Sequence, residues 1–273
     1  VREAALAGVR VTLPAPKTPA EPTDLRTLQT TLKMSGLADY LPGDLTFPIG
    51  VAVQSFKGED WTLVQGRDVT QVNDASVSLM YEDGRLVIGD CRVGMPQYGE
   101  AQLSGTVQTY GVWPMQLNAQ LKTTLTPQPV TLKANLSGEL KDEIRGAVSA
   151  DGWVSAAAVV SLRPSQPRLP LAVTGKLRAP FTLPAADRTV TLEGTDWQLQ
   201  GFIDEVRLSA GGRVLLRRGK DEKAYRTTVS ALASLTELRN GVIRLEDERD
   251  KGAVTLMGKA MWLNGVKTSG RLA

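Results

Sequence analysis

Side chains able to do chemistry are few in this chain, and the most versatile of them is missing. Its 273 residues include no histidine and one cysteine, Cys91. Without imidazole the commonest general base and metal ligand is gone. Cys91 has no histidine to take its proton. It falls in an apolar phase between Val87 and Val93, the setting of a buried, unreactive thiol. As the one cysteine it also excludes an intrachain disulfide. Carboxylates remain as possible acid–base pairs. Glu139, Asp142 and Glu143 form one group; Glu246, Asp247, Glu248 and Asp250 form another. Both are interleaved with Lys141, Arg145, Arg249 and Lys251, which is the make-up of solvated turns at strand ends. Arg213, Arg217, Arg218 and Lys220 lie beside Gly211, Gly212 and Gly219 and read as a solvated loop rather than a phosphate site. No catalytic constellation, metal site or cofactor is expected, so the chain is read as a non-enzyme. The 32 basic and 29 acidic residues leave a net charge of +3, spread along the chain. That is not the footprint of a nucleic-acid binder.

The elements that carry these residues are strands. Leu45, Phe47, Ile49, Val51 and Val53 alternate with Thr46, Pro48, Gly50, Ala52 and Gln54. The pattern recurs at Met115, Leu117, Ala119, Leu121; at Val130, Leu132, Ala134, Leu136; and at Leu169, Leu171, Val173, Gly175, Leu177. A period of two sends successive side chains to opposite sheet faces, one apolar and one wet. Gln116, Asn118, Gln120, Thr131, Lys133 and Asn135 fall in the wet phase. Turn signals such as Asp83-Gly84, Asp151-Gly152, Asn240-Gly241 and Asn264-Gly265 separate the strands and imply antiparallel hairpins. Leu103, Leu136, Val173, Leu192 and Leu256 each have a glycine two residues on, in phase with the apolar face, which asks for close approach or free space there. The five tryptophans are scattered and read as rim positions on a sheet.

The chain begins at Val1 and is read as an internal part of a longer protein, with no signal segment and no run of about 18 apolar residues. Residues 1–13 read as a strand remnant of a preceding segment. Residues 14–22 hold four prolines and form an extended linker. Residues 23–36 read as a short helix, capped by Thr23 or Asp24, striped by Leu25, Leu28 and Leu32, and ended by Gly36. Residues 44–273 read as one antiparallel-rich β domain. A closed sandwich and an open groove give the same alternation. The lining is mostly Leu, Val, Ala and Gly, with 5% aromatics over the whole chain. That favours a single elongated, strongly curled sheet with volume left on its apolar side.

Three stretches carry a resemblance: Leu45 to Leu63, LTFPIGVAVQSFKGEDWTL; Trp113 to Leu121, WPMQLNAQL; and Val130 to Gly152, VTLKANLSGELKDEIRGAVSADG. With the continuation through Leu169-Pro170-Leu171 to Asn264, the chain resembles the TamB family of translocation and assembly module proteins, which belong with the AsmA-like, bridge-type lipid transporters. The resemblance implies a β-taco, a sheet bent around an apolar inside. It implies a periplasmic segment of an inner-membrane-anchored protein in a Gram-negative bacterium, with the anchor outside this chain. It implies phospholipid movement toward the outer membrane, and outer-membrane assembly with the barrel protein TamA, reached through parts of the chain not present here. On this reading the lipid-facing candidates are Leu45, Phe47, Ile49, Val51, Leu103, Met115, Leu117, Leu121, Leu132, Leu136, Leu171, Val173, Leu192 and Leu256. A chaperone-like scaffold for nascent outer-membrane strands is the alternative, and a plain β-sandwich binding module is a third possibility.

Overall fold

Long alternating segments with few helix-forming runs favour strands, and strands are what form. A computed structural model describes residues 3–8, 10–13, 36, 39, 41–46, 49–65, 68–185, 187–234, 237–250, 252–261 and 267–272. The proline-rich linker over 14–22 and nearly all of the helix expected over 23–36 lie outside these residues, as does Phe47. Among the described residues there is no α-helix, and no helix is long and apolar enough to cross a membrane. The chain divides into two compact units, Val1–Asp24 with Leu37–Trp153, and Leu25–Gly36 with Val154–Ala273.

In the first unit β1 (Glu3–Ala7) and β2 (Arg10–Leu13) run parallel to β3 (Val51–Gln65), one after the other along the same edge. From β3 the chain is an antiparallel meander through β4 (Asp68–Glu82), β5 (Arg85–Met95), β6 (Gly99–Gln108), β7 (Pro114–Thr123), β8 (Val130–Glu139) and β9 (Ile144–Gly152). The β4–β5 turn shows how sequence dictates the connection. Glu82 pairs with Arg85, and the two residues between them, Asp83 and Gly84, have φ of 47° and 73°. Two positive φ values in a two-residue loop make the type I′ turn that Asp-Gly favours.

The second unit is also an antiparallel meander. It comprises β10 (Ala156–Leu162), β11 (Pro170–Leu177), β12 (Phe181–Ala185), β13 (Arg188–Phe202), β14 (Glu205–Arg218), β15 (Asp221–Ser234), β16 (Glu237–Asp247), β17 (Ala253–Met261) and β18 (Lys267–Leu272). The long β13 pairs with β12 over its first part and with β11 over its last. Within each unit the described pairings form an open sheet, not a closed barrel.

Four strands hold one extra residue: β3 between Val53 and Phe56, β5 between Ile88 and Cys91, β13 between Glu193 and Asp196, and β16 between Leu238 and Gly241. Each bulge resets the alternation. This corrects the neighbourhood of Cys91. It shares a face with Ile88 and Val93, while Val87 faces the other way, and Cys91 is half-buried rather than sealed. It also corrects one of the Leu-x-Gly pairs, because Gly194 is the bulge residue at φ 53°.

Buried apolar side chains are few. Among the described residues they include Trp113, Met115, Val130, Leu169, Val173, Val214 and Ala231, with Pro164 fully buried.

Candidate functional site

In the first unit the register assembles one apolar face from every strand of the meander. One row across it reads Val53, Leu79, Ile88, Gly105, Leu117, Leu136, Gly146; the next reads Val77, Cys91, Leu103, Ala119, Ala134, Val148. A third reads Ala75, Val93, Ala101, Leu121, Leu132, Ala150. Directly opposed side chains lie about 4.5–5.5 Å apart at Cβ, so these rows are continuous apolar surface. The face is not buried as a sandwich core would be. Leu121 is 38% exposed and Leu132 36%. Its reverse is polar: Ser76, Arg92, Gln102, Gln120, Lys133 and Ser149 share one row, and Asn118 opposes Asn135 in another.

One end of this sheet is tied by hydrogen bonds, all but one of them between neutral groups. The Leu45 amide donates to the Thr109 carbonyl at 2.7 Å. The Leu45 carbonyl accepts from Tyr81 Oη and from Thr109 Oγ1. Asp44 accepts from the Gly111 amide at 2.8 Å. Leu45 is thus a strap bonded to the β6–β7 turn, and the strand begins at Val51, not at Leu45. Trp113, in the same turn, is 7% exposed, with the Lys141 ammonium 5.0 Å from its ring centre.

The second unit repeats the scheme. Gly175, Trp197, Ala210, Val229, Ile243 and Leu256 form one row, and Val173, Leu199, Leu208 and Ala231 another. An open apolar hollow of about 620 Å³ lies here, lined among others by Leu208, Val229, Ala231, Leu238, Ile243 and Leu256. The tie at one end of this sheet is ionic. Arg168 Nε donates to both carboxylate oxygens of Asp204, at 3.1 and 3.2 Å. The Asp204 side chain is 2% exposed. The guanidinium stacks 4.2 Å from the centre of the Phe202 ring.

Several of the charged groups singled out in the sequence lie in turns and ion pairs. Asp247 accepts from the amides of Arg249 and Asp250, which holds its carboxyl below the ordinary value of 3.8. Arg213 lies on β14, not in a loop. It pairs with Glu248 and Glu193, and the Glu248 hydrogen bond is the first cause of its raised pKa. Arg217 pairs with Glu222 and Arg218 with Asp187. Glu143 pairs with Arg145 in the β8–β9 hairpin. Among the described residues no group of three metal-binding side chains occurs.

The structure therefore brings Leu103, Met115, Leu117, Leu121, Leu132 and Leu136 onto one face, with Val51 at its margin opposite Tyr81. Leu171, Val173, Leu192 and Leu256 share a face in the second unit. Leu45 and Ile49 precede the sheet. Sequence reasoning passed over Val77, Ile88, Leu208, Val229 and Ile243 as lining. Bulges in β5 and β16 interrupt the alternation near Ile88 and Ile243, while that of Val77, Leu208 and Val229 was legible.

Comparisons with curated proteins and with solved structures find no match. A protein-family model does match, that of the TamB N-terminal domain, over residues 1–273. A chain of open, one-sided apolar sheets matched along its whole length by that model belongs to the TamB family.

Proposed function

We propose that the two apolar faces bind and conduct phospholipid acyl chains, as a periplasmic segment of an inner-membrane-anchored protein that serves lipid transport and outer-membrane assembly. The observation that carries this is the uninterrupted apolar face left half-exposed. A face built only for stability would be covered, because each methylene taken out of water is worth about 0.8 kcal/mol. An acyl chain laid along Leu117, Leu121, Leu132 and Leu136 would recover that energy while its headgroup stayed in water. Movement along such a face needs no catalytic residue, metal or cofactor, and nucleic acid has no place in it. Engagement of TamA belongs to other parts of the full-length protein.

The test is photo-crosslinking in cells expressing the full-length protein. A photoreactive residue at Leu117 or Leu132 should give phospholipid adducts, and one at Gln116 or Lys133 should not. Equal labelling from both faces would overturn the reading. Adducts with unfolded outer-membrane protein in place of lipid would favour the chaperone alternative. Leu136→Arg sets a charge in the path and should abolish labelling at Leu132, because an unpaired charge is costly in an apolar lining. Its thermal melt, compared with that of Asn135→Arg on the wet face, separates blockage from unfolding.

A further inference from the structure

Two tryptophans rest over glycines, one in each unit: Trp61 over Gly58 of its own strand, and Trp197 over Gly175 of the neighbouring strand. A methyl group added at Gly58 would stand 2.5 Å from Trp61 Cζ2, and the Trp61 ring meets Phe56 edge-on at 5.9 Å. A methyl group added at Gly175 would overlap Cζ2 and Cε2 of Trp197, the direct cross-strand partner of Gly175. Both glycines are buried although they carry no side chain. The indole covers them.

Side chains on a strand ordinarily stand perpendicular to the sheet. A standing indole would project across the apolar face. Resting on a glycine it adds little more than the thickness of a ring, about 3.5–4 Å of carbon–carbon contact. A packed core has no need to keep the space above a tryptophan clear. A path for a chain does. Trp197 occupies the same cross-strand row as Val229, Ile243 and Leu256, which line the open hollow.

We infer that Gly175 with Trp197, and Gly58 with Trp61, set the clearance of the apolar path: the glycine holds the indole flat, and the acyl chain of a phospholipid passes over its face. This rests on the acyl-chain reading above and adds to it the residues that fix the bore. The glycines are positioning residues, acting through the rings they seat.

The experiment uses the full-length protein in cells, with a photoreactive residue at Val229 reporting on the second unit and one at Leu132 on the first. Gly175→Val lifts the Trp197 ring. It should cut phospholipid labelling at Val229 about tenfold, equivalent to about 1.4 kcal/mol, while labelling at Leu132 is retained. Adding Trp197→Ala to Gly175→Val removes the lifted ring and should restore labelling. Unchanged labelling in Gly175→Val overturns the inference and leaves the acyl-chain reading standing. Loss that Trp197→Ala does not restore also overturns it, because the damage then lies in the strand and not in the ring. Absence of lipid adducts at both Val229 and Leu132 in the otherwise unaltered protein overturns the reading itself and the inference with it. Protein abundance and melting temperature of each variant accompany the labelling. A variant that loses labelling through unfolding would not be rescued by Trp197→Ala, which cuts further into apolar packing.

Discussion

The two units build the same kind of apolar face and fasten its end differently. In the first, the strap at Leu45 is held by the hydroxyls of Tyr81 and Thr109. In the second, the turn at Arg168 is held by a guanidinium on a buried carboxylate. The reverse faces are both polar. The first unit presents Asn118 opposite Asn135 and Gln120 opposite Lys133, beside ion pairs of Arg92 with Asp90 and Glu100 and of Lys122 with Glu100. The second presents a row of charge, Glu193, Arg213, Arg226 and Glu246. The apolar face tolerates either solution, since it asks of its surroundings only that water be kept on the other side. The fastenings fail in different ways. A neutral bond lost leaves a carbonyl with one partner fewer; an ion pair halved leaves a buried charge alone.

The largest expected effect tests that contrast directly. Arg168→Leu should destabilise the second unit by about 3–5 kcal/mol, because Asp204 is left buried and unpaired. Hydrogen exchange followed by mass spectrometry should show faster exchange at Ile203, whose amide donates to the Arg168 and Leu169 carbonyls, with the first unit unchanged. Combining Arg168→Met with Asp204→Leu should recover most of that loss. If the single replacement proves harmless, the ionic clamp is not what holds this end.

Thr109→Val in the first unit should cost less, about 1–2 kcal/mol. It removes the hydroxyl that bonds the Leu45 and Gly84 carbonyls, while Tyr81 still reaches Leu45. Faster exchange at the Leu45 amide, with the β7–β8 hairpin unaltered, is the expected signature. A loss as large as that of Arg168→Leu would erase the distinction between the two ends.

The smallest effect is one of pH. The Asp247 carboxyl is held below its ordinary value chiefly by the Arg249 amide, then by that of Asp250. A lowered folded-state pKa contributes stability above the unfolded value, and that contribution is lost as pH falls through the folded one. Protection of the Arg249 and Asp250 amides should therefore persist at neutral pH and fade in acid below 3.8. Asp247→Asn should flatten that dependence. The bonds from Tyr81 and Thr109 to the Leu45 carbonyl involve no carboxylate and should show no change over the same range.

Much of the face was legible in the residues themselves. Leu117 and Leu136, or Leu121 and Leu132, are partners across β7 and β8. Their alternation alone placed them on one side, because the period of two is a local property of an extended backbone. The Asp83-Gly84 turn was legible for the same reason: its two positive φ values belong to two adjacent residues. What only the tertiary structure decided depends on partners distant along the chain. The bulge that sets Cys91 beside Ile88 answers to the register with β4 and β6. The Leu45 strap depends on Thr109, and the burial of Asp204 on Arg168. The Trp197 ring rests over Gly175 because that residue, on another strand, carries no side chain. Alternation fixes which side a residue faces, but clearance above that side is set by whatever the neighbouring strand brings opposite it.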